Sequence, residues 1–208
     1  MSEERIQLKV EKYYSGKIRE FGVSARGVDW NSEETQELRF QQLSRIFVSS
    51  GDLAVNDLGC GYGAFLPYLR RSYPTAAYRG YDLSADMVTA ARRLFADDSN
   101  AVFYESSGLI SADYTVASGI FNVKLDTAID EWEAYILQTL RRMDESSVRG
   151  FAFNVLTSYS DESHRRPDLY YADPLRLFDF CKAEFSRNIA LLHDYGLYEF
   201  TILVRKDL

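Results

Sequence analysis

Apolar residues recur at helical spacing through the first fifty positions and then change to short runs separated by helical stretches. Ile6, Val10, Tyr13 and Tyr14 predict an amphipathic helix ended by Ser15-Gly16. Asn31 or Ser32 stands where a second helix needs its cap, with Glu33 and Glu34 in the favourable first turn. Leu38, Phe40, Leu43, Ile46 and Phe47 give that helix an apolar face, and Ser49-Ser50-Gly51 ends it.

Beyond Gly51, strand-like runs at Leu53–Leu58, Ala77–Tyr81, Val102–Tyr104, Tyr114–Ala117 and Val148–Leu156 alternate with helical ones. The helices are expected over Ala64–Ser72, Ala85–Phe95 (capped by Ser84), Thr127–Met143 and Pro174–Ala183. Little room is left for a helix between the third and fourth strands. Asn188–Asp194 and Glu199–Arg205 lie too close for a crossover and predict an antiparallel hairpin. The expected fold is α/β. It has a Rossmann-like, seven-stranded, mostly parallel sheet with helices on both faces, a C-terminal hairpin and an N-terminal helical segment.

With 208 residues, the chain fits one domain, 1–208, with residues 1–50 preceding a core over 51–208. A net charge of −7 argues against a polyanionic partner, so nucleic acid is disfavoured. The two cysteines, Cys60 and Cys181, have no metal-ligand neighbours at short spacing, which predicts neither a disulfide scaffold nor a metal site. No signal-peptide core or membrane-length apolar run is present, and a cytoplasmic protein is expected.

The chemistry concentrates at strand ends. The first strand runs into Asp57-Leu58-Gly59-Cys60-Gly61-Tyr62-Gly63, where glycines permit a tight turn and close ligand approach before a helix N-terminus. Such a G-x-G-x-G is weak evidence alone. Asp82, ending the next strand about 20 residues later, strengthens it, because a carboxylate there can accept hydrogen bonds from both ribose hydroxyls. A helix cap is the plainer role for Asp82, but Ser84 already fills it. The glycine spacing departs from the dinucleotide fingerprint, which disfavours a nucleotide-dependent oxidoreductase.

Together, Asp57–Gly63 and Tyr81-Asp82-Leu83-Ser84-Ala85-Asp86-Met87 resemble the first two motifs of class I S-adenosylmethionine-dependent methyltransferases, and the resemblance runs from about Leu53 to the C-terminus. It implies S-adenosylmethionine as cofactor. Gly59 and Gly61 would pass under its methionine part with Cys60 beside them, and Asp57 would orient the loop or meet the amino group. Asp82 would hold the ribose, with Leu83 and Met87 against adenine, although Met87 reads equally as core. Ser107 stands where the family often has an acid, and Ser118 follows the fourth strand. The resemblance also implies an N-terminal lid, in which Arg39 would pair with the methionine carboxylate or, as the plainer alternative, with Glu34 or Glu37.

For the acceptor, the candidates are Trp30, Phe121, Asn122, Tyr159 and Tyr171; core packing competes for Phe121 and capping for Asn122. Asn122 and His164 are the candidate catalytic groups, and a solvated surface role competes for His164. The polar stretch Thr157–Asp173 reads as a mobile loop beside the crevice. The function expected is methyl transfer to oxygen or nitrogen of a small molecule. The alternatives are a nucleic-acid or protein methyltransferase and a non-catalytic cofactor-binding subunit.

Overall fold

The computed structural model describes residues 3–30, 32–48 and 52–206. The proposed cap Asn31 and the stop at Ser49-Ser50-Gly51 lie outside the described residues.

Helix α1 spans Glu3–Phe21 and runs through Ser15-Gly16, where the sequence predicted a stop. Tertiary contact overrides the breakers. Ser15 Oγ donates to Glu11 Oε1 at 2.7 Å and lies 2.7 Å from Ser84 Oγ, at the N-terminus of another helix. A short 3-10 turn, Ala25–Val28, follows; α2 (Glu33–Ser44) starts at Ser32, whose hydroxyl accepts from the Thr35 amide.

The strands are β1 (Ala54–Leu58), β2 (Ala77–Asp82), β3 (Ala101–Glu105), β4 (Ala112–Ala117), β5 (Ser147–Leu156), β6 (Asn188–Leu192) and β7 (Glu199–Arg205), in the order β3-β2-β1-β4-β5-β7-β6. The first five are parallel, and β7 pairs antiparallel with both β5 and β6. Helices α3 (Phe65–Ser72), α4 (Ala85–Leu94), α5 (Ile129–Ser146) and α6 (Pro174–Glu184) complete the set among the described residues.

Alternation along the strands sends side chains to two cores. One face gathers Phe40, Leu43, Phe65, Leu66, Val88 and Tyr114 under α2, α3 and α4. The other gathers Tyr81, Trp132, Ile136, Phe151, Phe153 and Phe200 against α5 and α6. Phe153 is fully buried, and its truncation to Ala would cost about 3–5 kcal/mol.

The link from β3 to β4 carries no helix. Residues 106–111 form a strap held to the sheet by Asn56, whose amide donates to the Ile110 carbonyl at 2.7 Å. The N-terminal half of α1 packs on this same face, with Ile6 buried in the second core and Val10 against it. It thereby covers apolar surface that a crossover helix would otherwise bury.

Candidate active site

The ligand crevice of an open parallel sheet lies beyond its carboxyl edge, where strand order reverses. Here the reversal falls between β1 and β4, and the main cavity opens there. Its floor is the turn after β1. The amides of Gly59 and Cys60 both donate to the Tyr81 carbonyl, at 2.7 and 3.0 Å, and Gly61 donates to Asp82 Oδ2 at 2.8 Å. Gly61 has φ 55°, and a Cβ there would lie 2.8 Å from Val28 Cγ1, so both conformation and space require glycine.

Asp82 also accepts from the Ser84 amide through Oδ1, at 2.9 Å. Burial lifts its carboxyl above the ordinary range, and the amides of Ser84, Gly61 and Leu83 draw it back. With Gly61 on Oδ2 and Ser84 on Oδ1, the carboxylate still has acceptor capacity for a ligand on the cavity side. Asp57 is buried, accepts from the Tyr78 hydroxyl at 2.6 Å, and is pushed up to about 7 by its burial. Burial pushes the Cys60 thiol well up, which disfavours the thiolate form a nucleophile needs.

Gly59, Cys60, Gly61, Asp57, Asp82, Leu83, Met87, Ser107 and Ser118 all line the cavity. Ser118 Oγ is buried there without a hydrogen-bond partner among the described residues, an orphan that a bound ligand can satisfy. The roof is built by Val10, Glu11 and Tyr14 of α1, Val28 and Trp30 after it, and Gln36 and Phe40 of α2. Tyr135, Thr139 and Arg142 of α5 close one end. Of these roof and end groups, the sequence singles out only Trp30 as an acceptor contact, and it reads Val10 and Tyr14 as positions on the face of an amphipathic helix. Val10 and Phe40 look like ordinary core positions in sequence, and nothing in α5 marks it as a cavity wall.

Several candidates are placed elsewhere. Arg39 is outside the cavity lining, and its guanidinium is taken by Glu199, with Nε to Oε2 at 2.8 Å and Nη2 to Oε1 at 2.7 Å. Glu37 is engaged by Arg71 instead. Phe121 is fully buried against Phe153, outside the cavity lining. Asn122 is a structural tie: its Oδ1 accepts from Leu156, and its carbonyl accepts from Tyr170.

Tyr159 is exposed beside His193, and Tyr171 holds the Arg166 amide and the His164 carbonyl. His164 is exposed against Tyr198. None of the three lines the cavity. Nor is the loop free along its length, because Tyr170 and Ala172 are buried and only 161–167 is continuously exposed.

A sheet of this order, with a glycine turn bonded to the acid ending the next strand, defines a Rossmann-like fold whose crevice suits a nucleoside cofactor. Residues 56–145 match the family model described as a methyltransferase domain. A Mycobacterium tuberculosis (strain H37Rv) protein named "Putative methyltransferase Rv1506c" is 54% identical over 163 residues, covering 78% of this chain and 98% of that one. The chain belongs to the class I S-adenosylmethionine-dependent methyltransferases.

Solved structures share the fold at low identity. Magnesium protoporphyrin IX methyltransferase from Synechocystis PCC 6803, with bound S-adenosylmethionine, aligns with TM-score 0.66 at 15% identity over 99% of this chain and 98% of that one. N-methyltransferase NodS from Bradyrhizobium japonicum WM9, with S-adenosylhomocysteine, gives 0.68 at 14% over 94% and 97%. Among the described residues, no helix is long and apolar enough to cross a membrane.

Proposed function

We propose that this methyltransferase acts on the oxygen or nitrogen of a small molecule. The observation that carries the reading is the roof: the chain's own α1, α2 and the turn between them line the cavity together with the strand ends, which narrows the approach left for a polymer. The acidic balance supports it, as does a structural neighbour whose name records a small-molecule substrate, magnesium protoporphyrin IX.

The residues fit the cofactor. Asp82 presents acceptor lone pairs suited to ribose hydroxyls, Leu83 and Met87 an apolar wall for adenine, and Ser118 a hydroxyl with no partner among the described residues. Asp57 stands beneath the glycine turn, able to receive a proton or an ammonium group near neutral pH. S-adenosylmethionine supplies an electrophilic methyl group on a sulfonium centre.

The protein's part is to place the acceptor in line with that methyl and to keep water away. Neither histidine lines the cavity, so the reading assigns the acceleration to positioning and exclusion of solvent, with no histidine base. Residues 1–50 act as lid and 51–208 as core within one domain. Incubating the protein with S-adenosylmethionine and a panel of hydroxyl- and amine-bearing metabolites, reading S-adenosylhomocysteine release, tests the proposal. Turnover on a protein or nucleic acid but on no small molecule would refute it.

A further inference from the structure

Trp30 meets two different parts of the chain. The Arg39 guanidinium lies 4.0 Å from the indole centre. The benzo edge of the indole crowds Gly119, where an added Cβ would sit 2.3 Å from Cη2 and 2.4 Å from Cζ2. Gly119 has φ 72°, and its amide donates to Asn154 Oδ1 at 2.6 Å, which pins the turn after β4.

Arg39 is itself immobilised. Two of its nitrogens grip both oxygens of buried Glu199, and Nη1 donates to the Thr35 carbonyl at 2.8 Å. Glu199 opens β7 opposite Leu156, at the end of β5. A continuous set of contacts thus runs Glu199–Arg39–Trp30–Gly119–Asn154 across the carboxyl edge of the sheet.

A buried ion pair of this kind adds little net stability over apolar residues of the same shape. What it supplies is direction. A guanidinium held by two carboxylate oxygens cannot swing, so the face it offers an aromatic ring is fixed. Trp30 lines the cavity, as does Ser118, the residue preceding Gly119.

We propose that Arg39 and Glu199 are positioning residues that hold Trp30 as the wall closing the cofactor crevice over Gly119, and that this wall strengthens cofactor binding. The proposal rests on the reading of the cavity as the S-adenosylmethionine site.

The test uses Arg39→Met/Glu199→Leu, which removes the pair without stranding a buried charge. The readouts are thermal melting, acrylamide quenching of tryptophan fluorescence without ligand, and calorimetry with S-adenosylhomocysteine. The chain has two tryptophans, and Trp132 is fully buried with Nε1 bonded to the Phe121 carbonyl, so the quenchable signal is that of Trp30.

The double variant is expected to melt near wild type, to quench more strongly, and to bind S-adenosylhomocysteine about tenfold more weakly. Adding Trp30→Ala should then weaken binding no further. Unchanged quenching and affinity in the folded double variant would overturn the proposal. If that variant does not fold, Gly119→Ala displaces the indole through the added Cβ with the ion pair intact, and must raise quenching and weaken binding alike. Absence of S-adenosylhomocysteine binding by the wild type would remove the cofactor reading, and the quenching result would then decide the positioning role alone.

Discussion

Asp82 and Gly61 are joined directly: the carboxylate at the end of β2 accepts the amide of the glycine turn after β1, at 2.8 Å. The two motifs are therefore one structural unit, and the acid that faces the cavity also shapes its floor. The consequence is that the two duties of Asp82 must be separated by choice of substitution.

Asp82→Asn keeps an acceptor for one of the two amides while removing the charge. It should fold, and should bind S-adenosylhomocysteine more weakly by about 1.5–3 kcal/mol, one to two decades in affinity. Asp82→Ala leaves both the Gly61 and Ser84 amides without their partner and should also lose about 1–3 kcal/mol of stability. Calorimetry finding full affinity in folded Asp82→Asn would remove the ribose assignment.

Gly61→Val faces a steric and a conformational barrier together, a φ of 55° and a Cβ 2.8 Å from Val28. S-adenosylhomocysteine binding should vanish, with a loss of about 1–3 kcal/mol in stability from the strained backbone. Retained binding would show that the glycine serves only the turn.

Asp57 predicts a pH signature. Burial raises its folded value from 3.8 to about 7, against the Tyr78 hydroxyl that lowers it, with Asp82 adding to the rise. The folded state thus holds the proton more tightly than the unfolded state. The stability this contributes is full below about pH 4 and is lost as pH climbs to about 7. Asp57→Asn, which cannot ionise, should gain melting temperature relative to wild type progressively across that window. A difference that stays flat between about pH 5 and pH 8 would contradict the raised value.

The loop after β5 carries a narrower prediction than its sequence suggests. Replacing all of Ser158–Ala172 would remove Tyr170 and Ala172 from the core and cost stability. Exchanging only Asp161–Arg166 for a Gly-Ser stretch of equal length should leave melting and S-adenosylhomocysteine affinity within about twofold of wild type. Acceptor turnover, followed as S-adenosylhomocysteine release, should fall. Undiminished turnover would mean that the loop does not meet the acceptor.

The sequence alone determined the order of strands and helices, the closing hairpin and the two motifs, because each rests on local rules. Alternation and helical spacing mark Ala54–Leu58 and Ile129–Ser146 within two or three residues. The glycines and Asp82 are legible because strand ends and turns restrict residue type over a few positions. Tertiary structure decided the rest. Ser15-Gly16 reads as a helix stop, yet α1 continues because Ser15 finds a buried partner in Ser84, 69 residues away.

Arg39 shows the same limit. Its charge announces a partner, but Glu199 stands 160 residues along the chain, and no spacing rule connects a helix before the sheet to the last strand within it. Phe121 and Asn122 sit one and two residues past Ile120, which lines the cavity, but fall outside its lining. There the turn at Gly119, held by Asn154, sets which side chains face the cavity and which face the core. Local sequence fixes what a residue can do; whether it meets a ligand depends on elements that only folding brings together.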